Sequence, residues 1–223
     1  MDNDNLTLEQ FRELSEGLRK LAAEIPLHWG RVQNNRVDDR INMFSINSYE
    51  QLKRALDGKP DYVQNYLKRR WYLWQCSRCD EYLFYYKGKS VHNPNRFDKS
   101  WDVRFVGGEN IAFDVKGTIV PREMRGNIEE LLDDPFPMIK FYYDKQSTGR
   151  RYDMQNRLFV VHHSFVDEPR EFYLRCAWGT KEKVYDEYAD AIINGKQTYN
   201  YKNCISDVIF LIEREKNKIE YKF

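Results

Sequence analysis

The sequence predicts a mixed α/β fold, a central sheet of mixed or mainly antiparallel strands with helices on its faces. Three observations lead there. Apolar residues recur at helical spacing near both ends of the chain, as Phe11, Leu14, Leu18 and Leu21 and again as Val184, Tyr188, Ala191 and Ile192. Between residues 101 and 118 the period changes to two, the mark of a half-buried strand pair. Two short apolar runs, LFVVH from Leu158 and VIFLI from Val208, have the length of buried strands. No internal repeat, low-complexity tract or clear linker interrupts the chain. The expectation is one domain over 1–223, with a helical N-terminal part to residue 58 and a core from 60 to 223.

Taken in order, Thr7 and Gln10 form a capping box that opens the first helix, and Pro26 closes it. Ser48 opens a second, YEQLKRAL, stopped at Asp57-Gly58. A third begins after Pro60 and runs through DYVQNYLKRRWYLWQ, and Tyr82–Tyr86 reads as a strand. After the alternating stretch, Asn127 caps a short helix, IEELL, before a turn at Asp134-Pro135. Met138–Tyr143 and Leu158–His162 read as strands joined by a loop that carries Arg150, Arg151 and Arg157. Phe172–Trp178 reads as another strand, and Thr180 caps a helix that ends at Asn194-Gly195. Val208–Ile212 and Ile219–Phe223 complete the sheet, the last at an edge.

Composition narrows the function classes. Charged residues make up 32% of the chain yet balance to a net charge of +1, which excludes a general basic coat for non-specific nucleic-acid binding. A local basic groove remains compatible with that balance. No apolar run has the length of a membrane span, and MDNDNLTLEQ is no signal peptide. Four cysteines without framework spacing suggest a reducing cytoplasm.

The alternating stretch, WDVRFVGGENIAFDVKGT, is a β-hairpin about Gly107-Gly108. A two-residue turn there sets Asp102 against Phe113 and mixes polar with apolar on each face. A three-residue turn, Gly107-Gly108-Glu109, keeps both faces pure by pairing Trp101 with Val115, Val103 with Phe113 and Phe105 with Ile111. Pairing Phe105 with Glu109 also preserves parity, so the register is favoured and not forced. In the favoured register Asp102 faces Asp114, with β-carbons about 5 Å apart. Facing carboxylates repel unless a shared proton or a cation relieves them. Lys116, one pleat from Asp114, compensates in part. A hard divalent cation such as Mg²⁺ compensates further, being bound by one or two carboxylates while it keeps several waters.

Asp102 followed by Asp114-Val115-Lys116 resembles the PD-(D/E)xK nuclease superfamily, the restriction-endonuclease-like fold. The resemblance covers the hairpin and, loosely, the order of elements around it. It implies a restriction-endonuclease-like core, Asp102 and Asp114 as Mg²⁺ or Mn²⁺ ligands, the Val115 carbonyl as a backbone ligand and Lys116 as the catalytic lysine. The residue before Asp102 is Trp101 where the family pattern has proline. The family often draws a further acidic residue from the preceding helix, for which Asp80 and Glu81 stand nearest. Asp98 is a rival to Asp102, in a loop outside the hairpin.

Other features carry weaker expectations. Lys68, Arg69 and Arg70 interleave with aromatics, and with Arg122, Arg150 and Arg151 they are candidates to touch nucleic acid. Cys76 and Cys79 form half of a zinc-ribbon pattern with no second half, so buried free thiols are the favoured reading. His162 and His163 point to opposite sides of a strand and are read as structural. The expected function is Mg²⁺-dependent hydrolysis of nucleic acid, DNA above RNA, with a homodimer or a partner protein as possible assemblies and no membrane. The alternative is a non-catalytic protein-interaction or nucleic-acid-binding protein, associated with defence or mobile elements.

Overall fold

The structure, a computed structural model, describes residues 5–25, 41–95, 97–98, 100–146 and 155–223, with only the backbone of residue 146. The expected stop at Pro26 and the candidate contacts Arg150 and Arg151 lie outside those residues. Helix α1, Leu8–Ala22, opens on the capping box that Thr7 and Gln10 predict. The Thr7 hydroxyl accepts the Gln10 N–H at 3.2 Å, and the Gln10 side chain accepts the Thr7 N–H at 2.9 Å. Ser48 caps α2, Tyr49–Leu56, its hydroxyl accepting the Gln51 N–H at 3.2 Å while the Gln51 side chain accepts the Asn47 N–H. Leu14, Leu18 and Leu21 of α1 and Leu52 and Leu56 of α2 enter the core that also receives α3, Asp61–Tyr85, so the N-terminal part and the core share one interior.

Helix α3 is 25 residues long, about 37 Å at the usual rise. It absorbs Tyr82–Tyr85, correcting the expected strand there. Trp71, Tyr72, Cys76, Cys79 and Leu83 are all buried because α1, α7 and the sheet press on the helix from several sides. A helix surrounded in this way loses the single apolar stripe by which a sequence announces it.

The sheet contains β1 (Ser90–His92), β2 (Val103–Phe105), β3 (Ala112–Ile119), β4 (Arg157–Ser164), β5 (Tyr199–Tyr201), β6 (Cys204–Glu215) and β7 (Lys218–Lys222). Its order is β1-β2-β3-β4-β6, with β5 and β7 both paired to β6. Strands β1, β2 and β3 run antiparallel in turn, whereas β3, β4 and β6 are mutually parallel. Parallel neighbours need a crossover, and that requirement explains two misread segments. The expected strand at 138–143 lies in helix α5 (Phe136–Phe141) and the turn after it, which with α4 (Ile128–Asp133) joins β3 to β4. The expected strand at 172–178 lies across α6 (Arg170–Leu174) and the start of α7 (Trp178–Ile193), on the path from β4 to β6. Thr180 therefore sits inside α7 and does not cap it.

Each face of the sheet has its own core. Phe105, Phe113, Val115, Leu158, Val160, Ile209 and Leu211 meet α1, α3 and α7 on one side. Phe159, Val161, Val208, Phe210 and Ile212 meet α4 and α5 on the other.

The hairpin takes the register favoured by parity. Val103 pairs with Phe113, Arg104 with Ala112, and the Phe105 N–H reaches the Ile111 carbonyl at 2.9 Å. Gly108 has φ +56°, and a β-carbon there would lie 2.8 Å from the Ile193 carbonyl oxygen. The turn thus needs glycine both for its backbone and for its close seat on the end of α7.

Candidate active site

The register reaches Val103 and Phe113, and the two hairpin acids each lie next to that pair. Asp102 immediately precedes β2, and its N–H bonds to the Phe113 carbonyl at 2.8 Å. Its Oδ2 accepts the Val115 N–H at 2.8 Å, so a side chain continues the ladder past the end of the strand. Val115, expected to offer its carbonyl to a metal, is thereby tied through its N–H to the first acid, while its side chain lies in the core.

Asp114 projects from β3 on the opposite face to Phe113 and Val115 and is only 2% exposed. The Lys116 ammonium, on the same face, bonds to its Oδ1. Arg157, its register partner on β4, brings Nε within 3.5 Å of Oδ2 and lays its guanidinium over the Tyr143 ring at 5.1 Å. Arg157 was legible only as a loop residue, because the parallel pairing that sets it beside Asp114 leaves no local trace.

The helix contributes one acid and withholds its neighbour. Glu81 stands close enough to Asp102 for its charge to act there, and its Oε2 is 3.0 Å from His92 Nε2. Asp80 instead turns inward, 2.7 Å from Lys181 Nζ and 2.9 Å from Tyr185 Oη. Asp98 also stays outside the site. It braces the loop before Asp102 by accepting Ser100 N–H at 2.9 Å and Asn93 Nδ2 at 3.0 Å. The Ser100 hydroxyl and N–H, with the Asn93 amide, hold its carboxyl down to about 2.

Asp102 moves the other way. Burial first, then the charges of Glu81 and Asp114, push its carboxyl up to about 7, against the pull of Lys116 and the Val115 N–H. Between the ordinary value of 3.8 and about 7, the folded chain keeps a proton that the unfolded chain releases. Stability of the metal-free protein therefore falls as pH rises through that window. We expect Asp102→Asn to remove this slope and to gain on the order of 2 kcal/mol over wild type at pH 8, and nothing at pH 4. Paired urea titrations at the two pH values measure it, and equal differences at both would contradict the assignment.

The carboxylates of Glu81, Asp102 and Asp114 are hard oxygen donors, and the upward push on Asp102 marks a negative field that a divalent cation would relieve. The donor chemistry suits Mg²⁺ or Mn²⁺. Among the described residues no three His, Cys, Asp or Glu side chains are gathered into a ligating group, so the fit lies in donor type and charge. The four cysteines are buried free thiols.

Several basic candidates lie elsewhere. Lys68 pairs with Glu24 at 3.3 Å, and it stands about 20 Å along α3 from Glu81, with Arg69 and Arg70 beside it. Arg122 follows the far end of β3, 3.7 Å from Glu168 and well removed from Lys116. His162 and His163 sit at that same far end, on β4. His162 Nδ1 meets the Thr118 carbonyl at 3.0 Å, and burial holds its ring well below the usual histidine range. His163 Nδ1 lies 3.2 Å from Glu171, whose other oxygen accepts from Arg125 at 2.7 Å. His162 thus has a backbone partner, and His163 stands beside the Glu171 carboxylate.

No helix among the described residues is long and apolar enough to cross a membrane. Comparison with protein-family models, with curated proteins and with solved structures finds no match in any of the three.

Proposed function

We propose that the chain is a Mg²⁺- or Mn²⁺-dependent nuclease of the PD-(D/E)xK type, hydrolysing phosphodiester bonds in DNA. The observation that carries the reading is one constellation: Asp102 and Asp114 each next to the paired residues Val103 and Phe113, Lys116 on Asp114, and a third carboxylate, Glu81, bearing on Asp102. The order of elements supports it as well, with a long helix, three antiparallel strands, a helical crossover and a parallel strand around the hairpin.

The division of labour follows from the contacts. A bound divalent cation supplies an acidified water and draws charge from the phosphoryl oxygens. Asp102 is fixed through Oδ2 by the Val115 N–H, which leaves Oδ1 as its donor toward the cation. Arg157 steadies Asp114 from β4, and His92 orients Glu81. Lys116 is partly exposed, so its ammonium can leave Asp114 for the charge that develops on the phosphate. Titration calorimetry should show carboxylate-dependent Mn²⁺ binding that Asp102→Asn weakens by at least about 10-fold. Wild-type protein that leaves DNA and RNA intact with either ion would overturn the proposal.

A second reading has one observation in its favour. Lys116 and Arg157 already pair with Asp114, as they would in a self-contained polar network of a non-catalytic binding protein. That reading expects no metal heat at all in the same calorimetry.

A further inference from the structure

The outer face of β1, β2 and β3 leads directly to the candidate site. Val91, Arg104 and Ala112 are register partners across the three strands. They project away from the core that holds Val103, Phe105 and Phe113. Asp114 and Lys116 continue the same row along β3. Val91 is 45% exposed and Arg104 is exposed. The Arg104 guanidinium lies over the half-buried Trp101 ring at 4.3 Å. In the loop that leads to β2, Phe97 presents 78% of its surface to solvent.

The loop holding these aromatics is braced. The Phe97 N–H bonds to Asn95 Oδ1 at 3.1 Å, and Asn93 Nδ2 bonds to both the Asp98 carboxylate and the Trp101 carbonyl at 3.0 Å. The Asn93 N–H meets the Asp102 carbonyl at 3.0 Å, joining the loop to the first acid. Aromatic planes and a guanidinium are therefore carried on a framework bonded to the backbone of Asp102.

We infer that this face is the track for a single-stranded stretch of the nucleic-acid substrate, with unpaired bases lying on Phe97 and on the Arg104–Trp101 stack. The inference rests on the nuclease reading and names the substrate class for that site. Arg104 and Lys116 match the phosphate charge, and the face is continuous with Asp114. Exposed aromatics and planar cations stack on bases of any sequence, but duplex DNA keeps its base faces inside its own stack. Unpaired nucleotides beside the scissile phosphate, in a single strand, a flap or a frayed end, can use such a surface.

The test uses the full chain and a fluorescein-labelled single-stranded 20-mer, about 20 nucleotides to span several stacking positions, beside the matched blunt duplex. Binding is read by anisotropy in EDTA and cleavage in Mn²⁺. We expect the single strand to bind about 10-fold tighter than the duplex. Phe97→Ala and Arg104→Ala should each weaken single-strand binding by about 5- to 10-fold, raising KM with little change in kcat. Phe165→Ala, an exposed aromatic next to His163, should change neither. Equal binding of the duplex, or Phe97 and Arg104 variants that bind like wild type, would overturn the inference. If cleavage persists in that case, the nuclease reading stands alone. If instead no cleavage occurs while both variants lose single-strand binding, this face stands and the hydrolytic reading fails.

Discussion

Asp114→Asn should lower Mn²⁺-dependent DNA cleavage by on the order of 10³-fold while the protein remains folded. The asparagine keeps an oxygen for Lys116 and Arg157 but loses the negative charge that would hold a cation. Lys116→Gln should cost about 10²- to 10³-fold in kcat, its amide keeping a donor for the buried Asp114. Asp114→Ala is the less informative change. It would leave a guanidinium 8% exposed at Arg157 facing an apolar methyl, and breaking a buried ion pair from one side costs about 3–5 kcal/mol. Single-turnover cleavage on gels, with a thermal melt of each variant, separates loss of chemistry from loss of fold. An asparagine variant that cuts at the wild-type rate would remove Asp114 from the mechanism.

Adjacent residues on α3 should respond in opposite ways. Asp80→Ala strands the Lys181 ammonium, 0% exposed and 2.7 Å from the lost oxygen, together with the Tyr185 hydroxyl. The expected loss is about 3–5 kcal/mol, or roughly 10 °C in melting temperature for a chain of this size. Asp80→Leu combined with Lys181→Met should recover much of it, since a buried pair replaced by apolar groups costs far less than one broken. Glu81→Gln should leave melting within about 1 kcal/mol of wild type, because the amide can still meet His92 at the half-exposed edge. Metal affinity should fall by about 10- to 100-fold instead. Comparable destabilisation by the two variants would place both acids in the core and take Glu81 out of the site.

What could be read from the sequence follows the range of each signal. The hairpin was legible because its evidence is local: six alternating apolar positions, a glycine turn and a parity rule that couples them. The first two helices were legible by their caps, where Thr7 and Ser48 act within three residues of themselves. The segment from Met138 to Tyr143 misled because aromatic and β-branched residues dominate it. Its buried set, Met138, Ile139, Tyr142 and Tyr143, is spaced as on a helix, and a short apolar run does not choose between the two periods. Phe172, Leu174 and Cys176 fall at alternate positions like a strand, although the chain there is helical and buries Glu171 and Arg175 as well. For the site, Asp80 and Glu81 could have been separated once the helix was known to extend that far. Asp80 falls four residues after buried Cys76, on the face turned to α7, and Glu81 is rotated off it. Arg157 had no such handle, since only the pairing of β3 with β4 brings it to Asp114.

The two margins of the sheet limit how copies of this chain could assemble. One margin is β1, three residues long and followed at once by a braced loop. The other is shared between β5 and β7, and Lys218, Glu220 and Lys222 stud the second of these with alternating sign. Short or charged borders discourage a neighbouring molecule from adding its own strands. If cutting both strands of a duplex demands two catalytic centres, the pair must meet through helices or loops, leaving each sheet a separate unit.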